Sequence, residues 1–212
     1  MLKKGISKAP AFRAALAVAY VALVLAVDAL GLQGWFFPHR WINFHGADLF
    51  KLTAWFVIPF ACCIPRMDWA YFGFKRWHRI DYYLLGGLVA AGLIAVLAIP
   101  LFPGLRGGIP PVGFFHNMVW TFSWLLGWEF LHRYLLLRRL GECWPRFGWL
   151  LIPVFEGAYH LTWWPALAMP AAMVAFSLVV TPWALRRRNT LLPFLAHLAV
   201  ELELSAFMVL QG

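Results

Sequence analysis

Residues 113–137 read GFFHNMVWTFSWLLGWEFLHRYLLL. A helix of about 20 mainly apolar residues crosses a bilayer, and this run is long enough. Inside it stand Glu129 and Arg133, four positions apart and so on one helix face. An ionisable group in hydrocarbon costs about 3 kcal/mol or more, so such groups face a bundle interior and mark function. The pattern recurs twice downstream, as Glu156 with His160 and as His197 with Glu201. Three pairs on three apolar segments predict one polar centre inside a membrane-embedded bundle.

Composition points the same way. The chain has 212 residues, 63% hydrophobic and 13% charged, with mean hydropathy +0.72. A soluble domain is nearer half apolar and a quarter charged. The expected fold is all-α: a polytopic transmembrane helical bundle forming a single domain over residues 1–212. Apolar runs place about seven spans, near 12–32, 49–65, 82–102, 113–137, 148–164, 165–185 and 190–210. Pro100, Pro153, Pro170, Pro182 and Pro193 predict kinks or helix ends, and Gly86, Gly87 and Gly92 predict close helix approach.

The net charge of +9 does not make this a nucleic-acid-binding protein. The Lys and Arg lie mostly in short loops between apolar spans, where they set orientation and meet lipid headgroups. With the N-terminus inside, the inner segments hold Lys3, Lys4, Lys8 and Arg13, then Arg66, Lys75, Arg76 and Arg79. They continue with Arg138, Arg139 and Arg146, then Arg186, Arg187 and Arg188. The outer segments hold Arg40, Lys51 and Arg106. The positive-inside rule then gives a cytoplasmic N-terminus and an outer C-terminus. Lys3, Lys4 and Lys8 before the apolar run from Ala14 read as an uncleaved signal anchor. Three cysteines make no disulfide scaffold; Cys62 and Cys63 read as small buried hydrophobes, with Cys143 in a basic loop.

Two chemistries fit the polar centre. A carboxylate in a low-dielectric pocket can serve as general base or acid near neutrality. Glu129 would activate a water against a peptide carbonyl, with His160 and His197 stabilising the oxyanion and Arg133, Glu156 and Glu201 in support. Alternatively His160 and His197, with Glu129 or Glu201, would hold a metal such as zinc whose water is the nucleophile. No cofactor is favoured. Taken alone, Glu129–Arg133 also reads as an ion pair that locks a helix. Glu-x-x-His at Glu129–His132 is half of a di-iron pattern that has no second copy here. Asp28, His116 and Asn117 read as interfacial or packing groups, and Glu203 lies off the His197 face.

In order and spacing, these motifs resemble the CPBP family, the CAAX protease and bacteriocin-processing membrane peptidases also called Abi proteins. That family carries Glu-Glu-x-x-x-Arg, then Phe-x-x-x-His, then His-x-x-x-Asn or Asp, on three helices. Glu129 and Arg133 match the first motif, with Trp128 in place of the first Glu. His160 matches the second, with Glu156 in place of Phe. His197 matches the third, with Glu201 in place of Asn or Asp. The resemblance covers about residues 113–210 and is nearest to a single-Glu bacterial branch, with the myxosortases that cut C-terminal sorting segments as the narrower analogy. It implies a glutamic-type intramembrane endopeptidase in a bacterial inner membrane, acting on a membrane-anchored protein or peptide. Trp128 and Glu201 also leave open a non-catalytic scaffold or immunity protein of the same family. A small proton-coupled transporter is a third reading of membrane Glu and His.

Overall fold

The computed structural model describes residues 8–32, 48–75, 77–101, 114–163 and 167–211. Every regular element among them is helical. Helix α1 is Lys8–Ala29. Helix α2 opens as a π-helical segment, Lys51–Val57, and continues as α-helix Ile58–Cys63 before a 3₁₀ turn at Ile64–Arg66. A short α3, Trp69–Phe72, precedes α4, Arg79–Ala98. Helix α5 runs Phe114–Glu129, passes through a π-helical segment at Phe130–Leu136, and ends as Leu137–Cys143. Then come α6, Leu151–Trp163, α7, Ala168–Arg187, and α8, Leu191–Gln211.

Helix α5 forms the centre, with α1, α2, α6, α7 and α8 packed around it. Its π segment is buried at six of its seven residues, which fits a stretch enclosed on every side. The apolar core collects Val21, Leu25, Trp55, Trp128, Leu131, Leu136, Leu137, Leu140, Ile152 and Ala184 from these helices. Helix α4 stands at the edge and leans on α8. Gly92 permits that contact: a Cβ there would run into Val200 of α8. Gly86 and Gly87 face open space instead, so only one of the three expected small-residue contacts forms. The outer face of α4 leaves Tyr83, Ile94 and Leu97 more than half exposed, as a lipid-facing helix would.

Three helices among the described residues are long and apolar enough to cross a membrane: Ala9–Ala29, Arg79–Leu101 and Met169–Arg187. This is the makeup of a membrane protein, with three candidate spans and not seven. The three correspond to the expected spans 12–32, 82–102 and 165–185. The others differ for local reasons. The expected span 49–65 is broken by the 3₁₀ turn at Pro65. The span 148–164 becomes a 3₁₀ turn at Gly148–Leu150 and a 13-residue helix, about 20 Å long against a 30 Å hydrocarbon core. The span 113–137 is interrupted by charges and the π segment, and the apolar run of α8 by His197, Glu201 and Glu203.

At one end of the bundle, polar ties join the connections. Asp68 caps α3 by accepting the Tyr71 N–H at 3.0 Å, and its other oxygen meets Arg188 at 2.7 Å. Gly73 closes α3 at φ 116°, in the left-handed region. Asp81 accepts the His78 N–H at the start of α4 and receives a two-pronged Arg187 from the end of α7. Lys75 donates to the Arg187 carbonyl. Asn189 then caps α8 by accepting from Leu191 and Leu192 N–H. Lys3, Lys4, Arg40, Arg76 and Arg106 lie outside the described residues, as does the side chain of Lys8.

Candidate active site

The site forms where the π segment of α5 faces α6 and α8. Glu129 is the last residue before that segment, and Arg133 lies within it. Arg133 Nη1 is 2.9 Å from Glu129 Oε2, the contact that a spacing of four predicts. The same guanidinium reaches α6, where Nη1 is 2.7 Å from Glu156 Oε1 and Nη2 donates to Glu156 Oε2 at 3.1 Å. One buried cation thus bridges two buried carboxylates from two helices. This is how charges persist in an apolar interior, each offset by a partner at hydrogen-bond distance.

From α8, His197 Nδ1 lies 2.8 Å from Glu129 Oε1. Facing a carboxylate, that nitrogen donates. His197 Nε2 points toward Glu201, 3.9 Å away, within ion-pair range but beyond a hydrogen bond. The imidazole is held between Trp124 of α5 and Phe176 of α7, with ring centroids at 5.7 and 5.5 Å. Glu129 therefore has each oxygen engaged, one by Arg133 and one by His197.

His160 sits differently from its expected pairing. Its Nδ1 lies 2.7 Å from the backbone carbonyl of Glu156, so it donates there, and the Glu156 carboxylate goes to Arg133. This fixes the tautomer: neutral His160 presents Nε2 as an acceptor. Its ring stands edge-on to Trp128 at 5.4 Å. Trp128, the residue before Glu129, is 1% exposed among Trp55, His132, Tyr159 and His160. Space there is filled by indole.

His132 is a member of the cluster that sequence reading set aside. It is fully buried; Nδ1 donates to the Trp128 carbonyl at 2.9 Å and is 4.0 Å from Glu156 Oε1. Spaced three from Glu129, it would be expected near the same face, and that spacing was the available signal. Beside the cluster, a cavity of about 60 Å³ is lined by Glu129 with Phe72, Phe130, Thr190, Leu191 and Phe194. Among the described residues, no three His, Cys, Asp or Glu side chains are gathered so as to hold a metal ion.

A second polar cluster corrects two expectations. Asp28, read as interfacial or packing, is buried at the far end of α1. Lys51, counted with the outer loop charges, is buried in the π segment of α2. Lys51 Nζ lies 3.4 Å from Asp28 and 3.5 Å from Asp48, and Tyr159 donates to Asp28. Two acids on separate segments draw the lysine inward. Cys62 is exposed and Cys63 half-buried, because α2 turns that face outward; both were expected buried. Glu203 faces Gly92 of α4, away from the cluster. The side chains of His116 and Asn117 lie outside the described residues. No family model matches this chain, and neither a curated protein nor a solved structure does.

Proposed function

We propose that this protein is an intramembrane endopeptidase that cuts a membrane-anchored protein or peptide, with Glu129 as the base that activates water. The observation that carries the reading is the Glu129 carboxylate, buried and fixed between Arg133 and His197. The cavity of about 60 Å³ beside it is lined almost entirely by apolar groups, so in this reading the attacking water comes in with the substrate. In the reaction, Glu129 takes a proton as the water oxygen bonds to the scissile carbonyl carbon. The proton then passes to the leaving amine as the peptide C–N bond breaks.

His197 positions Glu129 through its Nδ1–H. His160, with Nδ1–H spent on the Glu156 carbonyl, donates to an oxyanion only when Nε2 is protonated. Arg133 orients Glu129 and Glu156 together. No cofactor is favoured; the zinc alternative would draw on His160 and His197 with Glu129 or Glu201. The substrate class we favour is a C-terminal sorting segment in a bacterial inner membrane, met within the lipid bilayer. The orientation with a cytoplasmic N-terminus and an outer C-terminus is the expectation from seven spans; counted on the three candidate spans alone, Arg66, Lys75 and Arg79 would fall on the outer side. The ties from Asp68 to Arg188 and from Asp81 to Arg187 hold the connections at one end of the bundle together in either orientation.

A second reading has its own observation. Both oxygens of Glu129 are engaged and Trp128 fills the neighbouring space, which a locked, non-catalytic scaffold of the same family would also display. Cleavage by wild type against Glu129→Gln, with and without a chelator, separates the two.

A further inference from the structure

Away from the Glu129 cluster, α2 and the last turns of α5 enclose a cavity of about 330 Å³. Three arginines line it, Arg66 from the 3₁₀ turn after α2 and Arg138 and Arg139 from α5, together with Cys62, Cys63 and Tyr134. Arg138 Nη1 donates to the Tyr134 hydroxyl at 3.0 Å and its guanidinium lies over the Tyr134 ring. Arg139 Nη1 meets Glu142 at 3.2 Å, and Glu142 is 3.9 Å from Arg138. Against that one carboxylate stand three guanidinium groups, which leaves the cavity an excess of two positive charges.

We propose that this cavity binds the phosphate of an anionic phospholipid headgroup. Guanidinium forks match phosphate oxygens in pairs, and two uncompensated charges fit one phosphodiester with a second acceptor group. The surface leading to the cavity names the source of the phosphate. Ile58, nearly half exposed, stands one helical turn before Cys62 on the same face of α2 and gives the cavity an apolar edge. A headgroup in the cavity lays an acyl chain along this edge, whereas a free phosphate has no use for it. Basic pockets beside spans attract anionic lipid by this combination of charge and apolar surface.

The test uses the full chain in vesicles, with Cys63→Ser and Cys143→Ser so that Cys62 is the sole thiol. Maleimide labelling of Cys62 is timed in phosphatidylcholine alone, in phosphatidylcholine with phosphatidylglycerol, and in phosphatidylcholine with inorganic phosphate. The expected result is several-fold slower labelling with phosphatidylglycerol and no change with inorganic phosphate. Arg66→Gln alters an exposed side chain outside the core and should weaken phosphatidylglycerol protection about fivefold. Retention of phosphatidylglycerol by the detergent-purified protein in native mass spectrometry should fall in the same variant. Equal labelling in the two lipids, or protection unchanged by Arg66→Gln, overturns the proposal. Equal protection by inorganic phosphate overturns the lipid assignment.

Discussion

Glu129 on α5 and His197 on α8 are 68 residues apart in sequence and 2.8 Å apart in the fold. That contact ties the two most separated motifs of the chain into one cluster, and Arg133 extends it to Glu156 on α6.

The first prediction concerns Arg133, the fully buried cation that serves two carboxylates. Arg133→Met should cost about 3–5 kcal/mol, because Glu129 and Glu156 are left buried without it. Adding Glu156→Gln should recover part of that loss. Unfolding followed in detergent for the single and double variants checks both; an additive double variant would refute the shared role.

Trp128 supplies the second. The resemblance to the CPBP pattern invites placing a glutamate there, but the indole is packed on Trp55, Tyr159, His132 and His160. Trp128→Glu should destabilise the protein and yield no gain in activity. Trp128→Ala should lose about 3–5 kcal/mol through the cavity it opens. A stable Trp128→Glu protein with raised activity would show that the packing is dispensable.

The third lies at Gly73. Its φ of 116° suits glycine alone, and a Cβ would meet Asn189 Oδ1 at 2.5 Å and Leu191 Cβ at 2.6 Å. Gly73→Ala should therefore cost about 1–3 kcal/mol of backbone strain, before the clash is counted. It should also loosen α3, whose Phe72 lines the cavity beside Glu129. Hydrogen exchange across Trp69–Phe72 should quicken in the variant.

How far the sequence foretold this arrangement depends on the range of each contact. Glu129–Arg133 was legible because a spacing of four is set by the helix itself. The bridge from Arg133 to Glu156 was not, because it joins two helices whose relative rotation no local pattern encodes. His160 kept its helix position but bonded a carbonyl, since Glu156 had a charged partner available. The π segments explain other misses. A wider turn at Phe130–Leu136 brings His132 inward beside Arg133, and the one at Lys51–Val57 turns Lys51 toward Asp28 and Asp48. Long apolar runs gave α1, α4 and α7 well. Runs ending at Pro65 or beginning at Gly148 overstated helix length, because 3₁₀ turns took their ends.

The fourth prediction is a pH dependence. The Tyr71 N–H, then Arg188, hold the Asp68 carboxyl below the ordinary aspartate range, with slight burial opposing them. A folded-state pKa lower than the unfolded one stabilises above the unfolded value of about 3.9, and that stability is lost as pH falls through the folded value. Protection across Trp69–Phe72, corrected for the intrinsic pH dependence of amide exchange, should thus be steady near neutrality and fall below about pH 4. Asp68→Asn should remove that acid-dependent step. A wild type and variant with the same acid response would refute it.

The most direct test of the account is cleavage of membrane-anchored peptides by the purified protein in vesicles, wild type against Glu129→Gln, with and without a strong chelator. The account predicts cleavage by the wild type that chelation leaves unchanged and that Glu129→Gln abolishes while the protein stays folded. Cleavage retained by a folded Glu129→Gln protein would contradict it.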